Sequence, residues 1–283
     1  MDAPDQKHLR IRALRVNSQG ASPVNDTLAR EGVLHLRVND IPYTTTVRTP
    51  GEDTWLARGL LFTEGTIPDP AAKLSFHAIA DPETQLTGVL EVHVAPQDLA
   101  KPLHDRRSTM SSASCGLCGL REPEELQMAG APVLLPSGER FPITTIRKCL
   151  DALHAAQDIF TATGGTHAAG LFDRHGRMLA ICEDIGRHNA VDKAIGAVLE
   201  QGALPQAHLL LVSGRLSYEI VFKAFRARVP LMASVSAPSS LAVEMAKRFG
   251  LTLIAFCRED RCTVYSHPDR LDLETRRLQP EES

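Results

Sequence analysis

At 283 residues the chain is long enough for one large domain or two modest lobes around a sizeable core. A net charge of -3 and an isoelectric point near 6.4 exclude a global pull toward nucleic acid or an anionic membrane, although a local basic cluster can still hold a phosphate. No run approaches the roughly 18 apolar residues of a membrane span, the acidic start Met1-Asp2-Ala3-Pro4-Asp5 carries no export signal, and six cysteines in this length do not make a disulfide scaffold, so a reducing cytoplasm is the expected setting.

Residues 1–11, with a polar stretch reaching 17, and the tail 271–283 are expected to be loose. A β-rich N-terminal lobe is expected over 12–105. Within it, alternation from Gly32 to Arg48 around Asn39-Asp40 predicts a β-hairpin. Pro50-Gly51-Glu52-Asp53 opens a helix through Trp55, Leu56, Leu60 and Leu61, and two strands follow near 74–79 and 89–94. Residues 106–140 break the rhythm. They are rich in hydroxyl residues, lack amphipathic period, and read as a mobile linker carrying the sole C-x-x-C, at Cys115 and Cys118.

The span 141–268 reads as an α/β lobe. A helix is expected over 144–160, then a strand pair at 168–172 and 178–182 turned by Arg174-His175-Gly176. Next comes a helix with Ala190, Val191, Ala194, Ile195 and Val198 on a 3.6-residue period. Apolar runs at 209–212, 231–233 and 251–256, separated by helices at 217–225 and 241–249, predict a parallel sheet with helices on both faces.

Several motifs could carry chemistry. In Cys115-Gly116-Leu117-Cys118-Gly119 the glycines let backbone N–H groups point at sulfur, which favours a nucleophilic thiolate. Such a sulfur can hold a persulfide, and a second one can resolve or shield it. Half of a zinc site or a redox pair has the same spacing. No structural metal is expected, because two cysteines are too few for the usual four-ligand site and His167 lies in another segment. Gly186-Arg187-His188 opens a helix, where free N–H groups and cationic side chains suit an anion. A surface ion pair on a capped helix would look alike. Ser213-Gly214-Arg215 and the run from Ser234 through Ser236 to Ser240 both follow strands, where ligands of parallel sheets bind. Together with His167 they form a polar rim suited to a phosphorylated ligand.

These motifs in this order resemble the FdhD family of formate dehydrogenase accessory sulfurtransferases. The matching pieces are Thr63-Glu64-Gly65, Cys115-Gly116-Leu117-Cys118-Gly119, Thr166-His167-Ala168-Ala169, Glu183-Asp184-Ile185-Gly186-Arg187-His188, Asp192-Lys193, Ser213-Gly214-Arg215, Ser217-Tyr218-Glu219 and Val235-Ser236-Ala237. The resemblance implies a C-terminal lobe of the cytidine deaminase-like fold and a homodimer. It implies sulfur taken from a cysteine desulfurase and passed to the molybdenum bis(molybdopterin guanine dinucleotide) cofactor of the formate dehydrogenase catalytic subunit. Cys115 would carry the persulfide and Cys118 would assist. Phe256, Cys257, Arg258, Glu259, Asp260 and Arg261 would bind the cofactor, with His167, Arg187, His188, Ser213, Arg215 and Ser236 around them. Glu259 and Cys262 depart from the glycine and aromatic residue common in the family.

The implied fold also hosts zinc deaminases, which need H-x-E before P-C-x-x-C. Here Ala168-Ala169 follow His167, and the C-x-x-C precedes the histidine, so deamination is excluded on its chemistry. Two rival readings remain at this level: a chaperone that binds the cofactor without moving sulfur, and a redox protein that cycles a Cys115–Cys118 disulfide.

Overall fold

The structure is a computed structural model and describes residues 7–100, 103, 133, 140–258 and 261–273. β1 (His8–Asn17) and β2 (Gly20–Ala29) form an antiparallel hairpin turned by the two residues between them. Residues 8–11 are therefore strand, which corrects the loose tail expected there. Leu9 and Ile11 alternate with Arg10 and Arg12, so the segment has the two-residue period of a strand beneath a polar composition.

β3 (Gly32–Val38) and β4 (Ile41–Arg48) turn through Asn39 and Asp40, both left-handed with φ 46° and 64°, as a two-residue hairpin loop requires. Helix α1 (Asp53–Thr63) follows, then β5 (Leu74–Ala80) and β6 (Thr87–Val94), which complete a sheet of order β4-β3-β6-β5. Leu56, Ala57 and Leu61 of α1 bury against Leu34, Leu36, Leu90 and Val92 of that sheet.

The second lobe opens with β7 (Phe141–Pro142) and α2 (Ile143–Ala155). The single helix expected here is two: α3 (Asp158–Thr163) starts anew after Gln157. Ile159 and Phe160 N–H groups donate to the two carboxylate oxygens of Glu183, each at 2.8 Å, and so turn away from the carbonyls that a continuous helix would offer. β8 (His167–Phe172) and β9 (Met178–Asp184) form the expected hairpin, followed by α4 (Arg187–Glu200). β10 (Leu209–Val212), α5 (Tyr218–Arg226), β11 (Leu231–Ser234), α6 (Ser240–Phe249), β12 (Thr252–Arg258) and β13 (Arg261–Ser266) complete the lobe.

The sheet order is β13-β12-β11-β10-β8-β9. The α/β expectation holds with one correction: only β10, β11 and β12 are parallel, and β8, β9 and β13 run antiparallel to their neighbours. The antiparallel members belong to tight hairpins, whereas each parallel step spends a helix on its crossover. One face carries α4, α5 and α6, and the other carries α2. β14 (Leu271–Asp272) pairs with β7, so Leu271 and Asp272 are ordered where a loose tail was expected; the buried Leu271 side chain anchors them. Among the described residues no helix is long and apolar enough to cross a membrane.

The lobes meet where α1 crosses α4. A Cβ on Gly59 would fall inside the backbone carbonyl of Asp192, and one on Gly196 inside that of Trp55. The two glycines thus let the helix backbones touch. Around the crossing lie buried charges. Lys193 Nζ donates to Thr49 O at 2.8 Å and pairs with Asp184 at 2.9 Å. Lys223 Nζ reaches both oxygens of Asp192 at 2.8 Å, and Thr63 Oγ1 donates to the same carboxylate at 2.8 Å. Gly196→Ala is expected to lower unfolding free energy by about 3 kcal/mol or more, since neither helix can yield without opening this network. Urea denaturation measures it, and a change below about 1 kcal/mol would show that the crossing is not tight.

Candidate functional site

The loops after β10, β11 and β12 interlock. Ser213 N–H donates to Ala168 O at 2.9 Å, and its Oγ accepts from Ala168 N–H at 2.8 Å, which ties the first loop to β8. Ser234 Oγ donates to Gly214 O at 2.6 Å and accepts from Ser236 N–H at 2.9 Å. Phe256 N–H donates to Ser236 O at 3.1 Å. The three predicted segments therefore form one rim. Gly214 packs closely there: a Cβ would stand 3.3 Å from His167 Nδ1, a tight contact, and 3.5 Å from Arg187 Cβ, an ordinary one.

Charge on the rim is cationic through arginine and neutral through histidine. Burial lowers the pKa of His167, and the charges of Arg187 and then Arg215 lower it further. His188 is pushed down to about 4, first by burial and then by Arg187 and Lys223. Its Nε2 stands 3.8 Å from Glu219, longer than a hydrogen bond. The Nε of Arg187 has no hydrogen-bond partner among the described residues. Arg215 is exposed and Arg187 half-buried, so a field suited to phosphate faces outward from neutral imidazoles.

Beside this rim a cavity of about 420 Å³ opens between α2, the α2–α3 junction and the strand ends, with His167, Ser213 and Val235 on its wall. Glu183 holds the junction rigid: besides the two helix N–H groups it accepts a 2.7 Å hydrogen bond from Thr166 Oγ1. Gln157 and Glu183 were not singled out as site residues from sequence. A glutamine at an expected helix interior gives no signal, and the role of Glu183 depends on a helix break that periodicity does not show.

At the β12–β13 turn, Ala255 pairs with Thr263 and Arg258 with Arg261, so Phe256 and Cys257 oppose Cys262 alone in a bulge. Phe256 takes φ 53° and is 40% exposed. Cys257, next to it, is buried. Burial pushes the thiols of Cys149, Cys182 and Cys257 up to about 12, and raises that of Cys262. These four are thiols at neutral pH, not thiolate nucleophiles. Arg258 and Arg261 are both exposed beside the turn. Cys115, Cys118, Glu259 and Asp260 lie outside the described residues. In the other sheet, Asp40, Glu91 and His93 bring ligand-type atoms within 4.8 Å of one another, but the Arg37 guanidinium stands 3.9 Å from Glu91 and supplies positive charge there.

The pattern that defines the FdhD/NarQ family matches residues 29–272. The chain belongs to the FdhD/NarQ family. It is 41% identical over 273 residues to the sulfur carrier protein FdhD of Mycobacterium tuberculosis, covering 93% of this chain and 98% of the relative. The protein of the same name from Xanthomonas axonopodis pv. citri is 38% identical over 281 residues, covering 96% and 97%. Among solved structures, one described as a formate dehydrogenase accessory protein from Desulfotalea psychrophila superposes with TM-score 0.72 at 24% identity, over 93% of this chain and 99% of that one. At that identity it speaks for the fold of this FdhD/NarQ member alone.

The depressed His188 pKa has a consequence for stability. Unfolded His188 takes up its proton near 6.5, but the folded group resists until about 4, so its contribution is complete above 6.5 and is lost as pH falls toward 4. His188→Gln should flatten the acid loss by up to about 3 kcal/mol. Urea denaturation of both proteins at pH 7 and pH 4.5 checks this, and parallel losses would contradict a buried neutral imidazole.

Proposed function

We propose that this protein carries sulfur as a persulfide on Cys115 and delivers it to the molybdenum bis(molybdopterin guanine dinucleotide) cofactor destined for a formate dehydrogenase catalytic subunit. The observation that carries this reading is kinship over nearly the whole chain with proteins named sulfur carriers. The chemistry of the other cysteines supports it. All four described ones are held as thiols, which leaves the C-x-x-C pair for nucleophilic work.

In loading, the Cys115 thiolate attacks the outer sulfur of a cysteine desulfurase persulfide; a new S–S bond forms, the old one breaks, and the donor leaves as thiolate. In delivery, the Cys118 thiolate can attack the inner sulfur of the Cys115 persulfide, and a small-molecule thiol can do so more slowly in its place. Hydrosulfide leaves toward the cofactor, a Cys115–Cys118 disulfide forms, and a thiol reductant resets the pair. The cofactor is cargo. Arg187 and Arg215 would hold its phosphates, and Phe256, Arg258 and Arg261 would flank it at the bulged turn.

The finer fold reading, a cytidine deaminase-like lobe, is supported by the strand order with its antiparallel β8 beside three parallel strands. Self-association as a homodimer is supported by the β1–β2 hairpin, whose Leu9, Ile11, Leu14, Val16 and Leu28 are exposed. A cytoplasmic location fits the dependence on reduced thiols.

Cys115→Ala should abolish activation of formate dehydrogenase, and Cys118→Ala should lower it less. Both variants are loaded with desulfurase and cysteine, the extra sulfur is mapped by peptide mass spectrometry, and dehydrogenase activation is assayed. Activation by Cys115→Ala equal to wild type would favour a chaperone that moves no sulfur. Equal loss in both variants, with a Cys115–Cys118 disulfide and no persulfide on the wild-type protein, would favour a redox protein.

A further inference from the structure

A second cavity, of about 310 Å³, opens at the other end of the large sheet from the rim. His208, directly before β10, and Leu231, the first residue of β11, stand on its wall. Ser213 of the rim directly follows the last residue of β10. At about 3.3 Å per residue, roughly 17 Å of strand separates His208 from Ser213, so the two places are distinct.

The wall of this cavity is basic. Arg140 precedes β7, Arg174 and His175 lie in the β8–β9 turn, and His208 precedes β10, so four basic side chains from three segments surround one small volume. The chain as a whole carries -3, so the cluster is not a reflection of overall charge. Among the described residues no acidic side chain lines the cavity. Asp173, beside the turn, is already engaged: its carboxylate accepts from His175 N–H at 2.9 Å, Arg177 N–H at 2.8 Å and Arg177 Nε at 3.1 Å. Asp272 pairs with Pro142 through the backbone and is not on the wall. His208 Nδ1 lies 2.9 Å from Gln206 O. A carbonyl only accepts, so Nδ1 carries the proton and Nε2 is the ring atom left to meet a ligand.

The frame that carries these groups is fixed. Gly176 takes φ 77°, and a Cβ there would fall 2.5 Å from Thr145 Cγ2, so the β8–β9 turn is seated directly on α2. His208 is held on both sides, its N–H donating to Phe172 O at 2.9 Å and its carbonyl accepting from Leu231 N–H at 3.1 Å. Two guanidinium groups gathered around one cavity repel each other, and an anion between them relieves that repulsion. We infer that this cavity binds a small phosphorylated molecule, at a site separate from the cargo on the rim. Arg140 and Arg174 donate charge-assisted hydrogen bonds to the phosphate oxygens, and the imidazoles meet them from other sides. A tetrahedral phosphate presents oxygens in several directions and so suits donors arriving from three segments, whereas a planar carboxylate is satisfied by one guanidinium fork. The volume lies at the small end of ligand sites, with room for a phosphate plus a second phosphate or a short organic group.

The test is calorimetric titration of the full chain at low ionic strength with pyrophosphate, glycerol 3-phosphate, citrate and hexaglutamate. Wild type is compared with the double variants Arg140→Gln/Arg174→Gln and Arg187→Gln/Arg215→Gln. Wild type should bind pyrophosphate, glycerol 3-phosphate or both. The first double variant should weaken that binding at least about tenfold with an unchanged melting temperature, since both arginines are exposed. The second should stay within about twofold of wild type, because its arginines lie beyond a Debye length from the cavity. Tighter pyrophosphate assigns the cavity to a diphosphate, and tighter glycerol 3-phosphate assigns it to a phosphomonoester. Histidine-ring NMR of the wild-type protein locates the probe without any arginine variant: pyrophosphate should shift the His175 and His208 signals before those of His167 and His188, with assignments from single His→Gln changes. The inference is overturned if neither phosphate probe binds, if citrate binds as tightly, or if the loss occurs only in Arg187→Gln/Arg215→Gln. Binding of hexaglutamate without either phosphate probe would assign the cavity to an acidic protein segment and overturn it too. None of these results bears on the sulfur-carrier proposal, which persulfide loading reads.

Discussion

Everything at the rim depends on two helix backbones touching. With Gly59 and Gly196 at the crossing, α1 and α4 approach closely enough for Lys193 to reach the carbonyl of Thr49, and for Thr63 to share Asp192 with Lys223. Lys193 also pairs with Asp184, whose carboxylate accepts from Gly186 N–H at 2.8 Å and from Asn189 at 3.1 Å. Those residues set the first turn of α4, which presents Arg187 and His188. The N-terminal lobe is thus part of the site's foundation. Such buried pairs add little net stability over apolar packing, but breaking one strands a charge, so they fix geometry more than they stabilise.

Much of this was legible in the sequence because it rests on local rules. The Asn39-Asp40 turn, the periodic face of α4 and the apolar runs of β10, β11 and β12 all appeared where expected. So did the convergence of Ser213, Ser236 and Phe256, which follows from the placement of loops at strand ends. Two of the misses share a cause: long-range partners overrode local pattern. α2 and α3 split because Glu183, more than twenty residues away, captures two N–H groups. β1 was masked by arginines alternating with aliphatics. Gly59 and Gly196 look like ordinary weak points of helices until the helices are brought together.

The rim and the turn divide two tasks. Arginines around neutral imidazoles make the rim positive and leave the histidines able to donate or accept hydrogen bonds at neutral pH. At the turn, the bulge leaves Phe256 exposed and Cys257 buried, so the aromatic residue is available while the sulfur is sealed. Burial does the same to Cys149 and Cys182. A protein that handles persulfide gains from this arrangement, since stray nucleophilic thiols would divert the sulfur.

That this chain is a sulfur carrier is tested most directly by intact mass spectrometry after incubation with a cysteine desulfurase and cysteine. The account predicts a gain of one sulfur atom per chain, removed by thiol reductant and absent when Cys115 is replaced. No added sulfur on the wild-type protein, or added sulfur that persists after both Cys115 and Cys118 are replaced, would contradict it.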